Sequence, residues 1–512
     1  MWGLSESSLP RWTRRRPIWL ATALTLAVLM ACGGGGVGTN GTGSAPQGLS
    51  VGTVTGFGSV IVDGARFDDT VANVLIERQP GKLDRAEVKL GQGVEIGFDV
   101  DGAGTHQGVA RQIQIEPALI GPVGSVGLKT LTLLGQTVQI NTDPAFGPVT
   151  VFEPPYLALS SVKPADWVEV HAIAVPAVAG GQPSWVATRI EQRVPMASAR
   201  LHGAVTGVSG VTPNQHFQLG AVTVQLSAPV QLLTPATPLT NGQVVTIFAD
   251  PAAFDPVRSV LTAQAVRMRD RLASKSPAAV DDYIGGVVSG SDGLNGLFVL
   301  DGVIVHWDGA TVISGGTASN LLDGTYVRVQ GRFDIDGSFQ SHVIQLRNVV
   351  TEKAAEVRGT VTNWLPGTRQ FTVRDVVIDA TSPSIVLENF NLALCGATDL
   401  SNGQYVVVDG VGMPSGVRAQ NIRCENELAV PGAVIERSGV LSRIDTVAQW
   451  LELTLSDGSV LHVTWNEHSF FRETSADELL NGKPMQPISV EGTWSGTGAS
   501  AVLVASKIKL GL

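Results

Sequence analysis

The chain has 512 residues, 35 of them Lys or Arg and 45 Asp or Glu, for a formal net charge of −10 at pH 7. That acidic balance argues against the two partners that reward basic residues, a nucleic-acid backbone and an anionic membrane surface. The length calls for several domains rather than one core.

In chain order, the first element is a segment in which Arg11, Arg14, Arg15 and Arg16 precede an apolar run from Pro17 to Ala31. A spanning helix needs about 20 apolar residues, so this shorter run reads as the basic and apolar regions of an export signal. Its end, Leu29-Met30-Ala31-Cys32, resembles the lipobox of bacterial lipoproteins, in which the signal is cut before a cysteine that is then lipidated. The resemblance implies cleavage between Ala31 and Cys32, palmitate on Cys32 and a protein anchored to the membrane by lipid. Gly33 in the next position implies sorting to the outer membrane. The alternative is an ordinary signal peptide cut near Ala31. Loss of residues 1–31 removes four arginines and one glutamate and takes the net charge from −10 to −13. The glycine-rich stretch that completes 32–49 is neither preceded by a strand nor followed by a helical pattern, and it reads as a flexible tether. Two further cysteines, Cys395 and Cys424, form an even pair in an exported chain and suggest a disulfide. The alternative is two buried thiols.

Beyond the tether a short motif recurs, a glycine with an aliphatic residue two positions later. It occurs at Gly52, Gly121, Gly203, Gly285, Gly359 and Gly439, with spacings of 69, 82, 82, 74 and 80 residues. Six diverged repeats follow, over 50–118, 119–195, 200–270, 282–349, 356–426 and 436–512. Each opens with a strand and continues into two apolar runs around a turn, such as "VIVDGARF" and "LTLLGQTVQI". Apolar alternation around Asp-Gly predicts a hairpin; the fifth repeat, "FTVRDVVIDA", lacks the glycine. A fourth strand and a closing segment of period two ("GVARQIQI", "WVATRIEQ", "LVASKIKL") complete the unit. Five strands, with room for a short helix between the third and fourth, predict an all-β chain. Its form is a tandem array of about six small five-stranded Greek-key barrels, like the oligonucleotide/oligosaccharide-binding fold, in which closure protects the sheet edges; an SH3-like barrel or a small sandwich would give a similar strand count. The pattern, best kept in "VGTVTGFGSVIVDGARFDD" and in "DWVEV" with "WVATRIEQ", resembles proteobacterial lipoproteins that carry domain of unknown function 5666. That family has no agreed activity, so the resemblance implies architecture without chemistry.

No G-x-S-x-G elbow, H-E-x-x-H helix or phosphate loop occurs. His462 and His468, if on one extended strand, would stand about 20 Å apart, too far to share an ion. The acidic turns at Asp99 and Asp101 and at Asp334 and Asp336 lack the later ligands of a calcium loop. The pairs Asp68 with Asp69 and Asp281 with Asp282 point to opposite strand faces and read as solvated loop or linker charges. These readings leave no catalytic residue, metal site or cofactor to expect. Trp185, Trp307, Trp465 and Trp494 are the candidate ligand-contacting aromatics, with core packing preferred because aromatics make up 6% of the chain.

The expected function is that of a non-enzymatic outer-membrane lipoprotein, a cell-envelope scaffold or binding protein. Its partner would be an unidentified envelope protein or polysaccharide, not nucleic acid. The alternatives are a carbohydrate-binding envelope protein that uses the tryptophans and a polysaccharide-active hydrolase.

Overall fold

The computed structural model describes residues 47–101, 107–144, 147–175, 184–211, 214–226, 229–233, 239–268, 280–300, 303–334, 338–346, 355–381, 400–427, 433–482, 486–496 and 501–511. Ala31, Cys32 and Cys395 lie outside the described residues. Among those residues no helix is long and apolar enough to cross a membrane.

In the first repeat the principal strands are Gly48–Phe57, Val60–Val62, Ala65–Asp68, Gly93–Asp99 and Gly108–Ile115. The first pairs antiparallel with the second and the second with the third. The third runs parallel to the fifth, the fifth antiparallel to the fourth, and the fourth returns to the first. The sheet therefore closes on itself as an OB-like barrel. Leu119–Val126, Thr130–Leu133, Gln136–Ile140, Trp167–Val175 and Ser184–Arg193 close the second barrel by the same path. The sixth does so through Val434–Asp445, Trp450–Thr454, Val460–Thr464, Pro487–Ser495 and Val502–Leu510. The third, fourth and fifth repeats follow the same pairing order; the fifth strand is split in the third repeat and the first strand in the fourth. Alternation places one face of each strand inside, where a buried phenylalanine fills the axis: Phe67 and Phe98 in the first barrel, Phe217 in the third, Phe298 and Phe339 in the fourth, Phe371 in the fifth. Each such ring contributes roughly 1.5–3 kcal/mol.

Three features go beyond the sequence reading. The first strand starts at Gly48, inside the expected tether, because Leu49 is buried and its N–H donates to the Asp282 carboxylate of the fourth barrel at 2.7 Å. Among the described residues, a short extra strand lies between the third and fourth in five repeats and runs parallel to the closing strand, as in Asn73–Gln79 and Phe470–Arg472. The third is the glycine-free hairpin of the fifth repeat, which still turns through positive φ at both central residues, Arg374 (49°) and Asp375 (60°), much as Asp63 (48°) and Gly64 (86°) do in the first.

The six barrels are not beads on a string. The opening strand of the first barrel pairs in parallel with that of the fourth, Val51 opposite Ile284, and with that of the fifth, Phe57 opposite Val357. The opening strands of the second and third barrels pair with each other antiparallel. One buried apolar cluster runs from the first barrel into the fifth, and another from the second into the third. The contact between the first and fifth barrels requires glycine, since a Cβ on Gly56 would lie 2.0 Å from the Glu356 carbonyl oxygen.

Candidate functional site

Polar residues on the outer faces of barrel strands ordinarily meet water. Here many meet another barrel, and the first barrel exchanges side-chain bonds with all five others. Arg78 reaches Glu169 of the second, Glu77 takes Arg267 of the third at 2.7 Å, and Asp63 accepts from the Tyr326 hydroxyl of the fourth. Arg66 pairs with Glu356 of the fifth, and Glu87 with Lys507 of the sixth.

The densest group joins the first, fifth and sixth barrels. In the closing strand of the sixth barrel, Lys507 and Lys509 flank the buried Ile508 and so share the outer face. Lys507 Nζ lies 2.7 Å from Glu87, 2.8 Å from Glu491 and 3.0 Å from Asp375. Lys509 bridges Asp375 and Glu436, both at 2.7 Å. Arg472 pairs with Glu87 and Asp375, while Arg374 donates to Glu491 at 2.7 Å and stands 3.5 Å from Asp69. Burial alone would raise the Glu87 carboxyl, but Lys507 and Arg472 outweigh it and hold the pKa at about 2. Asp375 is likewise held well below its ordinary value, by Lys507, Lys509 and Arg472 against burial. Asp69 goes the other way: its burial outweighs Arg374 and raises it. These bonds explain the fifth hairpin, whose two strained turn residues are charged partners that glycine could not replace. Asp69 and Asp282 thus correct the expectation of solvated charges. Asp69 is paired at a junction, and Asp282 is buried, accepting backbone N–H groups from Leu49 and Phe333.

A second group joins the first and second barrels. Ligand atoms of the buried Glu169, His171 and Glu191 lie within 4.8 Å of one another, a spacing suited to a metal ion. The bonding argues against one. His171 Nδ1 accepts the Gly93 N–H at 3.2 Å, which leaves Nε2–H to donate to Glu169 at 3.3 Å, so neither nitrogen offers a lone pair. Glu169 also takes Arg78 and Arg193, and Glu191 takes Arg189 and Arg193. With Lys89 and Glu153 included, four cations surround three carboxylates, a field that opposes a further cation. Burial would raise Glu191, but Arg189 with Lys89 and Arg193 keeps it at about 2.

At the junction with the fourth barrel, the motif glycines Gly52 and Gly285 both face the Asp63 carboxylate. A Cβ on either would stand 2.1–2.2 Å from Oδ2. That oxygen accepts the Thr53 N–H at 3.1 Å.

Of the expected aromatics, Trp185 and Trp465 are buried, 5% and 7% exposed. The Trp185 indole N–H donates to Gln136 at 3.3 Å, and the Trp465 ring stands edge-on to Phe471. Trp185 packs at the seam with the third barrel, where a Cβ on Gly203 would lie 3.1 Å from its ring, and Trp465 packs in the sixth-barrel core, so neither ring presents an exposed face for stacking. Trp307 and Trp494 are half-buried against the cores of their own barrels. His462 packs on Trp450, while His468 sits in the loop beyond the third strand of the sixth barrel. Cys424 is buried at the end of the fifth barrel's closing strand. The sequence reading missed the junction charges, although one signal was present: Arg189, Glu191 and Arg193 alternate in sign on one face of one strand.

A search of curated proteins finds no match. Among solved structures, "Crystal structure of Ag(I)CusF" is similar at 14% identity and a TM-score of 0.12, over 15% of this chain and 97% of that one. "Drosophila Unr CSD456" is similar at 14% identity and a TM-score of 0.13, over 44% and 96%. Neither likeness bears on function. The family described as "Domain of unknown function (DUF5666)" matches residues 120–191 and 285–345, which fall in the second and fourth barrels, a finding consistent with a repeated DUF5666 protein.

Proposed function

We propose that the chain is a non-enzymatic, lipid-anchored scaffold of the outer membrane, held by Cys32 and its tether. Its six barrels would act as one body that presents loops and junction clefts to an envelope partner. The observation that carries this reading is the bonding of the first barrel to each of the other five. A spacer of independent beads would have no use for such bonds, whereas a platform needs its surfaces held in fixed relation. The strongly perturbed carboxylates described above are consumed in ion pairs between barrels, so their perturbation supports cohesion rather than catalysis.

The anchor is tested with Cys32→Ser in living cells. Loss of palmitate incorporation and release from the membrane fraction are expected; unchanged labelling and retention would overturn the anchor. Crosslinking in intact cells tests the scaffold. A reproducible envelope partner, captured by the native chain and lost when Arg78→Ala and Arg66→Ala loosen the first barrel, is the expected result. Capture that is indifferent to those changes would favour independent barrels.

A further inference from the structure

The six barrels fall into three sheets. Strands of the first, fourth and fifth pair with one another, as do those of the second and third, whereas among the described residues the strands of the sixth pair only among themselves. The sixth is therefore held by side chains, and unevenly. On the fifth barrel it is well seated: the buried Tyr405 ring joins its apolar core, the Glu436 N–H donates to Thr360 Oγ1 at 2.9 Å, and Asp375 takes Lys507, Lys509 and Arg472. Toward the first barrel it has less. Glu87 takes Lys507 at 2.7 Å and Arg472, and Arg85 reaches the Ser469 carbonyl at 3.3 Å, but the buried apolar clusters of the two barrels share no described residue. Two solvent-open hollows lie along this seam, with water-accessible volumes of about 80 Å³ and 440 Å³, the first lined by Glu87, Phe470 and Lys507 and the second by Arg85 and Phe470. The seam between the first and second barrels is ion-paired too, but it is closed, since a Cβ on Gly91 would lie 2.4 Å from the Thr188 carbonyl oxygen.

We propose that the sixth barrel is a jaw, hinged on the fifth and latched to the first by Glu87. Swinging away from the first barrel breaks, among the described residues, the Glu87 and Arg85 contacts. Lys507 keeps Glu491 of its own barrel at 2.8 Å and Asp375 at 3.0 Å, and Arg472 keeps Asp375 at 3.1 Å, so no buried cation is stranded. Glu87 is left facing a solvent-open hollow, where water can take the place of its partners. The motion is of the hinge type, one rigid body turning about a retained contact. It merges the two hollows and bares the half-buried ring of Phe470, which lines both. The latched form is the single body of the scaffold reading, and the jaw goes beyond that reading by giving the chain a second, open state.

Hydroxyl-radical footprinting of the full chain in detergent reads side-chain exposure on both seams at once. Phe470 reports the seam with the first barrel and Tyr405 the seam with the fifth. In Glu87→Gln the oxidation of Phe470 should rise roughly twofold or more while Tyr405 stays protected, because loss of the latch shifts the population toward the open form. Lys82→Ala, which alters an exposed pair in the first barrel, should change neither. If Glu87→Gln fails to fold, the native chain decides: NaCl raised to about 1 M screens the latch and should expose Phe470 while sparing Tyr405. Unchanged Phe470 oxidation in the deciding experiment overturns the latch. A joint rise of Phe470 and Tyr405 overturns the hinge, since the sixth barrel is then detaching or unfolding. Footprinting reads the purified chain, whereas the anchor and crosslinking experiments read living cells, so the jaw and the scaffold reading can fail separately.

Discussion

Glu87→Gln isolates the tie between the first and sixth barrels, because it keeps the side-chain shape and removes only the charge facing Lys507 and Arg472. Against burial, Lys507 and Arg472 hold the folded Glu87 carboxyl at about 2, whereas an unfolded glutamate titrates at about 4.3, and the Glu87 side chain is 15% exposed. That difference corresponds to about 3 kcal/mol of stability at pH 7. Because the folded pKa is depressed, that stability is complete above the unfolded value and is lost as pH falls through the folded one. At pH 3 only about 1.4 kcal/mol of it remains. Urea unfolding read by tryptophan fluorescence suits the test, since Trp465 lies in the sixth barrel's core. The variant should be less stable than the native chain by about 2–3 kcal/mol at pH 7 and by roughly half that at pH 3. Lys82→Ala, which breaks the exposed pair with Asp84, should leave the midpoint in place. An equal deficit at both pH values, or none at pH 7, would refute the electrostatic account of the junction.

Gly285→Val should displace the Asp63 carboxylate, which a Cβ there would meet at 2.2 Å. A loss of about 2–4 kcal/mol is expected, with faster hydrogen exchange at Thr53, whereas Gly286→Ala meets its nearest neighbour at 3.8 Å and should be silent. Asp375→Gly relieves a positive φ, worth about 1 kcal/mol, but strips Lys507 and Lys509 of a shared partner. Net destabilisation in thermal melts at pH 7 is expected, and a gain in stability would show that the ion pairs do not justify the strained turn. The expected Cys395–Cys424 bridge should appear as one linked peptide in non-reducing mass spectrometry; ready alkylation of both thiols without reductant would exclude it.

The barrels were legible because their signals are local. A strand with one face inside must alternate, and a two-residue hairpin turn must reach positive φ, so the repeat glycines, the hairpins and the closing segments stand out in a single sequence. The extra strand of the second repeat did not, since Val151–Phe152 is two residues long and carries no period. The turn at Arg374 and Asp375 was obscure for a different reason. Its residues were selected by partners 117 and 132 positions away in the chain, and local turn chemistry has no view of them.

The same distance explains why the junctions read as ordinary surface. A glutamate on the outer face of a strand has one pattern whether it faces water or another barrel, so Glu87, Glu169 and Glu491 carry no local mark of the partners they meet. What separates the two cases is how charges are arranged along one face: Arg189, Glu191 and Arg193 at period two, or Lys507 and Lys509 beside a buried isoleucine. Opposite charges at period two on one strand gain little in water, where exposed pairs contribute about 0–1 kcal/mol. They become consequential once a neighbouring barrel excludes the solvent and a missing partner would cost several kcal/mol. In an array of similar barrels, such alternation on a closing strand therefore marks the face that another repeat covers. The first barrel, whose Arg66, Glu77, Arg78 and Glu87 each find a different neighbour, is the one the others are built around.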